Sequence, residues 1–230
     1  MTHELILAGS VHLDTKLKNN IYSTLQAIRP ELLTVEISRF SVIYRSFFQH
    51  EWLDRYHEIL KKLPEEKKTH SNLKLLELQL KMPFEWEVAE KYCRNEGIIC
   101  LPVDTGDLAR KELPVWKREL LTFKNVQNLV STPDFDLNDH FDSCCLQAGN
   151  VIEGKENFSE FHHPLAWLAD AYWAKREKIL AVRIRRLLRK YSPVVHLGGW
   201  MHIVTGSPWK TMSDMLIDLN PERIMLFKDT

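Results

Sequence analysis

Apolar residues along the chain follow two different periods. Short, largely apolar runs at 5–8, 32–35, 98–103, 193–197 and 223–227 read as buried strands. The first four stop at Gly9, Glu36, Asp104 and Gly198. Between them the spacing changes to that of helices. Leu17, Ile21, Leu25 and Ile28 fall four, four and three residues apart, and Pro30 ends that stripe. Helical patterns follow at about 40–63 and 71–96, the second interrupted at Pro83, so that 84–96 forms its own helix with Gly97 just past its end. Residues 107–162 hold helix-like pieces near 108–130 and 136–148 and a polar loop at 149–162. A long helix is predicted over 164–190 and a short one near 208–218.

Strands alternating with helices predict an α/β fold. The expected architecture is a mostly parallel central sheet with helices on both faces, carrying helical insertions at about 40–96 and 107–162. At 230 residues, one domain spanning 1–230 is the simplest organisation. The chain is 44% apolar and 27% charged, a globular composition. Lys+Arg and Asp+Glu are both 31, so the net charge is zero, which argues against a general nucleic-acid binder. No apolar run reaches the roughly 18–20 residues of a membrane span. Residues 1–8 show no basic stretch leading into a long apolar one, so no signal peptide is expected. Cys93, Cys100, Cys144 and Cys145 lack zinc-site spacing and read as reduced thiols of a cytoplasmic protein.

Ligands of open parallel sheets bind beyond the carboxyl ends of the strands, and those ends carry the chemistry here. The first strand runs into Gly9-Ser10-Val11-His12, the second into Glu36, the third into Asp104 and the fourth into Gly199-Trp200-Met201-His202. Two imidazoles and one or two carboxylates thus converge on one edge. They suit a divalent metal with His12, Glu36 and His202 as ligands, with Mn, Co and Zn the candidates. They equally suit metal-free chemistry with a histidine general base and an orienting carboxylate. Asp104 either joins this site or caps the next helix. Gly9 and Gly199 let backbone approach a substrate closely, and Ser10 offers it a hydrogen bond. Arg176 shares a helix face with Tyr172, Ile179 and Arg183, so it is expected to pair with Glu36 or to polarise a substrate carbonyl.

Other features point elsewhere. The cations between Lys175 and Lys190 read as a solvated helix face near its C-terminus. His162 and His163 read as surface residues and His196 as a core histidine. Phe40, Tyr44, Phe47, Phe48 and Trp52 form a stripe suited to packing, a homodimer contact or a pocket lid. Gly-x-Ser-x-Gly, the Walker loop and Gly-x-Gly-x-x-Gly are all missing, so a serine hydrolase and a nucleotide cofactor are not indicated.

At these residues the chain resembles the TraB/PrgY/GumN family, which includes the Tiki proteases, within a wider group holding erythromycin esterases and ChaN-like proteins. The resemblance rests on Gly9/His12, on Arg29-Pro30-Glu31-Leu32-Leu33-Thr34-Val35-Glu36, on Glu87-Val88-Ala89-Glu90 leading to Asp104, on Arg176, and on Gly199/His202. It implies a hydrolase: metal-dependent as in Tiki proteases, or metal-free with a histidine base as in the esterases. The substrate would be a small molecule or peptide with a scissile peptide, amide or ester bond. The alternative is a non-enzymatic module that binds a small molecule, peptide or metal in the same pocket. The family's Asp-Arg-Asp after the third strand is Asp104-Thr105-Gly106-Asp107 here.

Overall fold

Alternation within the strands sets the layers. In β1 (Leu5–Ser10), Leu5 and Leu7 point to one face, Ile6 and Ala8 to the other, and all four are buried. The same division holds in β2 (Leu32–Val35) and β4 (Val194–Gly199), so these strands are covered on both faces. With β3 (Ile99–Pro102) and β5 (Glu222–Met225) they form a parallel sheet in the order β3-β2-β4-β1-β5. This computed structural model describes residues 4–156, 171–207 and 210–227. The expected α/β fold with a parallel sheet is what it shows, and the sheet is parallel throughout the described residues.

One face is covered by α1 (Lys18–Ile28) and α4 (Phe84–Glu96) through Ile21, Leu25, Ala89 and Tyr92. Arg29 ends α1 in a left-handed conformation, φ 53°, with its N–H on Leu25 O. Pro83 precedes α4 and Gly97 closes it, as the sequence predicts. The other face is covered by α8 (Ala171–Leu187) and α9 (Met212–Met215) through Leu180, Ala181, Ile184 and Met212. Burying each of these leucine, isoleucine and methionine side chains contributes about 1.5–3 kcal/mol. His162, His163 and the start of the helix expected from 164 lie outside the described residues.

A second core stands off the sheet. α2 (Arg39–Leu60) and α3 (Ser71–Leu80) bury Trp52, Tyr56, Leu73 and Leu80 against Trp116 and Leu121. The insertion expected over 40–96 therefore ends before α4, which belongs to the sheet layer. The aromatic stripe is divided too: Trp52 is buried, whereas Phe47 is 75% exposed. The helix expected over 108–130 is broken into α5 (Asp107–Glu112), a 3-10 turn, a π turn at Trp116–Leu120 and α6 (Phe123–Leu129). Pro114 lacks the N–H that a continuous helix needs, and Thr122 starts α6 by capping Asn125 N. The third insertion helix, α7 (Leu137–Ile152), is capped by Asp136. Among the described residues, no helix is long and apolar enough to cross a membrane.

The strand order creates the site. From β1 the chain passes β4 to reach β2 on one side; from β4 it passes β1 to reach β5 on the other. The connections diverge, and a crevice opens between the carboxyl ends of β1 and β4.

Candidate active site

His12 lies two residues beyond β1, in a turn whose next residue, Leu13, has φ 70°. A bulky side chain in that region is strained, and such strain persists where the surroundings enforce it. The turn aims the imidazole at the crevice and leaves its side chain 51% exposed. Nδ1 lies 2.8 Å from Glu85 Oε1. Glu85 is buried and also accepts a 2.9 Å hydrogen bond from Ser10 Oγ. With Nδ1 carrying the proton, Nε2 is free to act as a base, 3.9 Å from Glu36 Oε2.

Glu36 leaves β2 with its N–H on Leu197 O, which extends the pairing towards β4 and fixes the carboxylate over the strand ends. Its Oε2 accepts from Gly199 N at 2.6 Å. Its Oε1 accepts from Arg176 Nη2 and lies 2.8 Å from His202 Nε2. Arg176 reaches across from α8 and also binds Asp104, Nε to Oδ1 at 2.9 Å and Nη2 to Oδ2 at 3.1 Å. His202 ends the 3-10 turn after β4. Its Nδ1 is 2.5 Å from Oε1 of the fully buried Glu177, whose Oε2 accepts from Met212 N. Trp173 stacks on the His202 ring, with centroids 4.7 Å apart.

These contacts set the charges. Burial opposes ionisation of Glu36, but His202 and Arg176 outweigh it and hold the carboxyl well below its usual range. Burial also opposes protonation of His202, yet Glu177 and Glu36 push its pKa up to about 9, so it is an imidazolium at neutral pH. At His12 desolvation again works against the charge, and the Glu85 hydrogen bond with the charges of Glu85 and Glu36 raises the pKa. His196 behaves oppositely: burial brings it down to about 4, and the neutral ring lies 3.0 Å from Thr34 Oγ1 inside the sheet. It is the core histidine that the sequence suggests.

The structure thus brings together His12, Glu36, Asp104, Arg176, Gly199 and His202. It gives Ser10 and Gly9 different work from the substrate contacts expected of them. Ser10 is fully buried, and its hydroxyl supports Glu85 and Gly198 O rather than facing the cleft. Gly9 permits close packing, since a Cβ there would lie 2.6 Å from Ile203 Cδ1 and 2.9 Å from Trp200 Cα. Gly199 does face the site: a Cβ there would lie 2.6 Å from His12 Nε2. Sequence reasoning missed Glu85 and Glu177. The resemblance singled out Glu87 and Glu90, but Glu87 pairs with Lys18 and Glu90 with Arg94. Pro83, which fixes where α4 begins and hence which carboxylates share its first turn, was the available signal.

Two clefts, each about 590 Å³, meet at His12. One runs over Glu36, Asp104 and Arg176 between walls that include Trp116, Tyr172 and Trp173. The other runs past Glu85 between Lys18 and Lys81. Among the described residues, no three His, Cys, Asp or Glu side chains are arranged to hold a metal. The donor chemistry agrees. Both His202 nitrogens face carboxylates, both Glu36 oxygens already accept hydrogen bonds, and the Arg176 guanidinium stands among the acidic groups where a cation would be held. The His12, Glu36 and His202 set therefore does not fit a metal as arranged.

Comparison of the chain with protein-family models, with curated proteins and with solved structures returns no match.

Proposed function

We propose that this chain is a hydrolase that cleaves an ester, amide or peptide bond by metal-free acid/base chemistry centred on His12. One observation carries the reading: a half-exposed imidazole, oriented by a buried carboxylate at Nδ1, with Nε2 open to a cleft beside a guanidinium and an imidazolium. A nucleophile-activating base held by a third group is the logic of hydrolytic sites in general. The motif-level resemblance to the TraB/PrgY/GumN group and the erythromycin esterases points the same way.

In this reading a water bound at His12 Nε2 gives its proton to the imidazole as its oxygen attacks the scissile carbonyl. The carbonyl oxygen becomes an oxyanion. Arg176 Nη1, which no carboxylate engages, and the positive charge of His202 stabilise it. Collapse of the tetrahedral intermediate returns the proton from His12 to the departing oxygen or nitrogen. Glu36 remains ionised and, with Asp104, holds Arg176 in place.

The test is a panel of nitrophenyl esters, anilides and short peptides, run on chelator-treated protein with His12→Gln as control. Turnover that survives chelation and falls roughly 10²–10⁴-fold in the variant supports the reading. Turnover that needs added Mn, Co or Zn assigns the chemistry to a metal instead. Ligand binding without turnover assigns the cleft to sequestration, the alternative function.

A further inference from the structure

Four lysine and arginine side chains line the two clefts: Lys18, Arg45, Lys81 and Arg176. Three are neutralised on the spot. Lys18 Nζ lies 2.8 Å from Glu87, Lys81 Nζ 2.5 Å from Glu77, and Arg176 bridges Glu36 and Asp104. Arg45 differs. It is 6% exposed, yet among the described residues it makes no ion pair. Glu112, another carboxylate of its cleft, does not pair with it either.

The guanidinium is held along one side only. Nε donates to Ser41 Oγ at 3.3 Å. Nη1 uses both hydrogens on the carbonyls of Gln79 and Lys81, at 2.7 and 2.8 Å. These carbonyls end α3, where a helix favours positive charge. Trp116 packs under the cation, its centroid 4.9 Å from Cζ. Nη2 is left with no acceptor among the described residues, and Arg45 lines both clefts. Although burial pulls the pKa down to about 10, the group stays charged at neutral pH. A buried guanidinium that lines a cavity and pairs with no carboxylate is incomplete, and a ligand oxygen can complete it.

We propose that Arg45 is the anion anchor of this cleft and takes a carboxylate at the far end of the substrate from the bond that His12 attacks. The proposal rests on the cleft being the substrate site. The lining of the cleft that holds both residues includes Leu108, Leu113 and Trp116, which suits a substrate whose connecting part is apolar. A single free guanidinium nitrogen suits a carboxylate better than a phosphate, whose oxygens call for several donors.

The test measures binding, not turnover. 4-Phenylbutyrate, 4-phenylbutyramide and phenyl phosphate are titrated calorimetrically into wild type, Arg45→Gln, Arg45→Lys and His12→Gln. The expected result is at least tenfold tighter binding of the carboxylate than of the amide in wild type and in His12→Gln. That preference falls to about one in Arg45→Gln and is partly kept in Arg45→Lys. Circular dichroism checks each fold, because Arg45 also fastens the end of α3. If Arg45→Gln does not fold, the wild-type and Arg45→Lys preferences decide. Equal affinity for acid and amide, no binding of the acid, tighter binding of phenyl phosphate, or an undiminished preference in Arg45→Gln each overturns the proposal. Intact carboxylate preference in a protein that hydrolyses nothing sinks the enzyme reading alone.

Discussion

His202 Nδ1 and Glu177 Oε1 stand 2.5 Å apart, with 2% of one side chain exposed and none of the other. Glu36 holds the opposite nitrogen at 2.8 Å, so an imidazolium is clamped between two buried carboxylates. Its pKa of about 9 in the folded chain exceeds the unfolded value near 6.5. A raised pKa gives stability that is complete below about 6.5 and lost as pH climbs through about 9. Urea unfolding between pH 6 and 10 is therefore expected to show a loss of a few kcal/mol in wild type that is absent in His202→Gln. Parallel curves for the two proteins would remove the clamp from the account.

Arg176 ties α8 to the ends of β2 and β3 through Glu36 and Asp104. Arg176→Met leaves Asp104 without its cation and Glu36 with His202 alone, which is expected to cost about 3–5 kcal/mol and to abolish turnover. Arg176→Lys keeps the charge but not the fork that meets Asp104 at two points. It is expected to recover much of the melting temperature and little of the kcat. Full activity in the lysine variant would show that charge alone is needed.

Glu85 raises the pKa of His12 and selects its tautomer. A base must be unprotonated, so kcat/KM is expected to rise with pH through a midpoint above 6.5. Glu85→Gln removes the charge that favours the imidazolium, which moves that midpoint to lower pH while the plateau falls. A lower plateau with an unmoved midpoint would mean that Glu85 only supports the fold.

The strands and the residues at their ends were legible in the sequence because apolar runs and their terminators are local. Glu36, His12 and His202 follow from that reading directly. The partners were not legible, because they come from helices whose rotation is set by packing. Glu85 and Glu87 are two residues apart in α4; one turns inward to His12 and the other outward to Lys18. Arg45 stands among the aromatics of α2 with no motif to single it out, and its burial depends on where α3 ends against α2. Residue types alone do not reveal that an arginine reaches between the acids.

Gly199 offers the cleanest separation of site from scaffold. Its N–H holds Glu36 Oε2, a contact that alanine would keep. A Cβ there would lie 2.6 Å from His12 Nε2 and 3.3 Å from two ring carbons. Because half of the His12 side chain is in the open cleft, the ring can yield by swinging outward and giving up its alignment with Glu85. Gly199→Ala is thus expected to lower stability by about 1–3 kcal/mol at most. Turnover is expected to fall at least as far as in His12→Gln, since the base is displaced into the space a substrate needs. The imidazole NMR resonances of His12 report the outcome: loss of the downfield Nδ1 proton signal marks the broken Glu85 bond. A variant with that signal intact and normal kcat would show that Nε2 does not face the reacting bond.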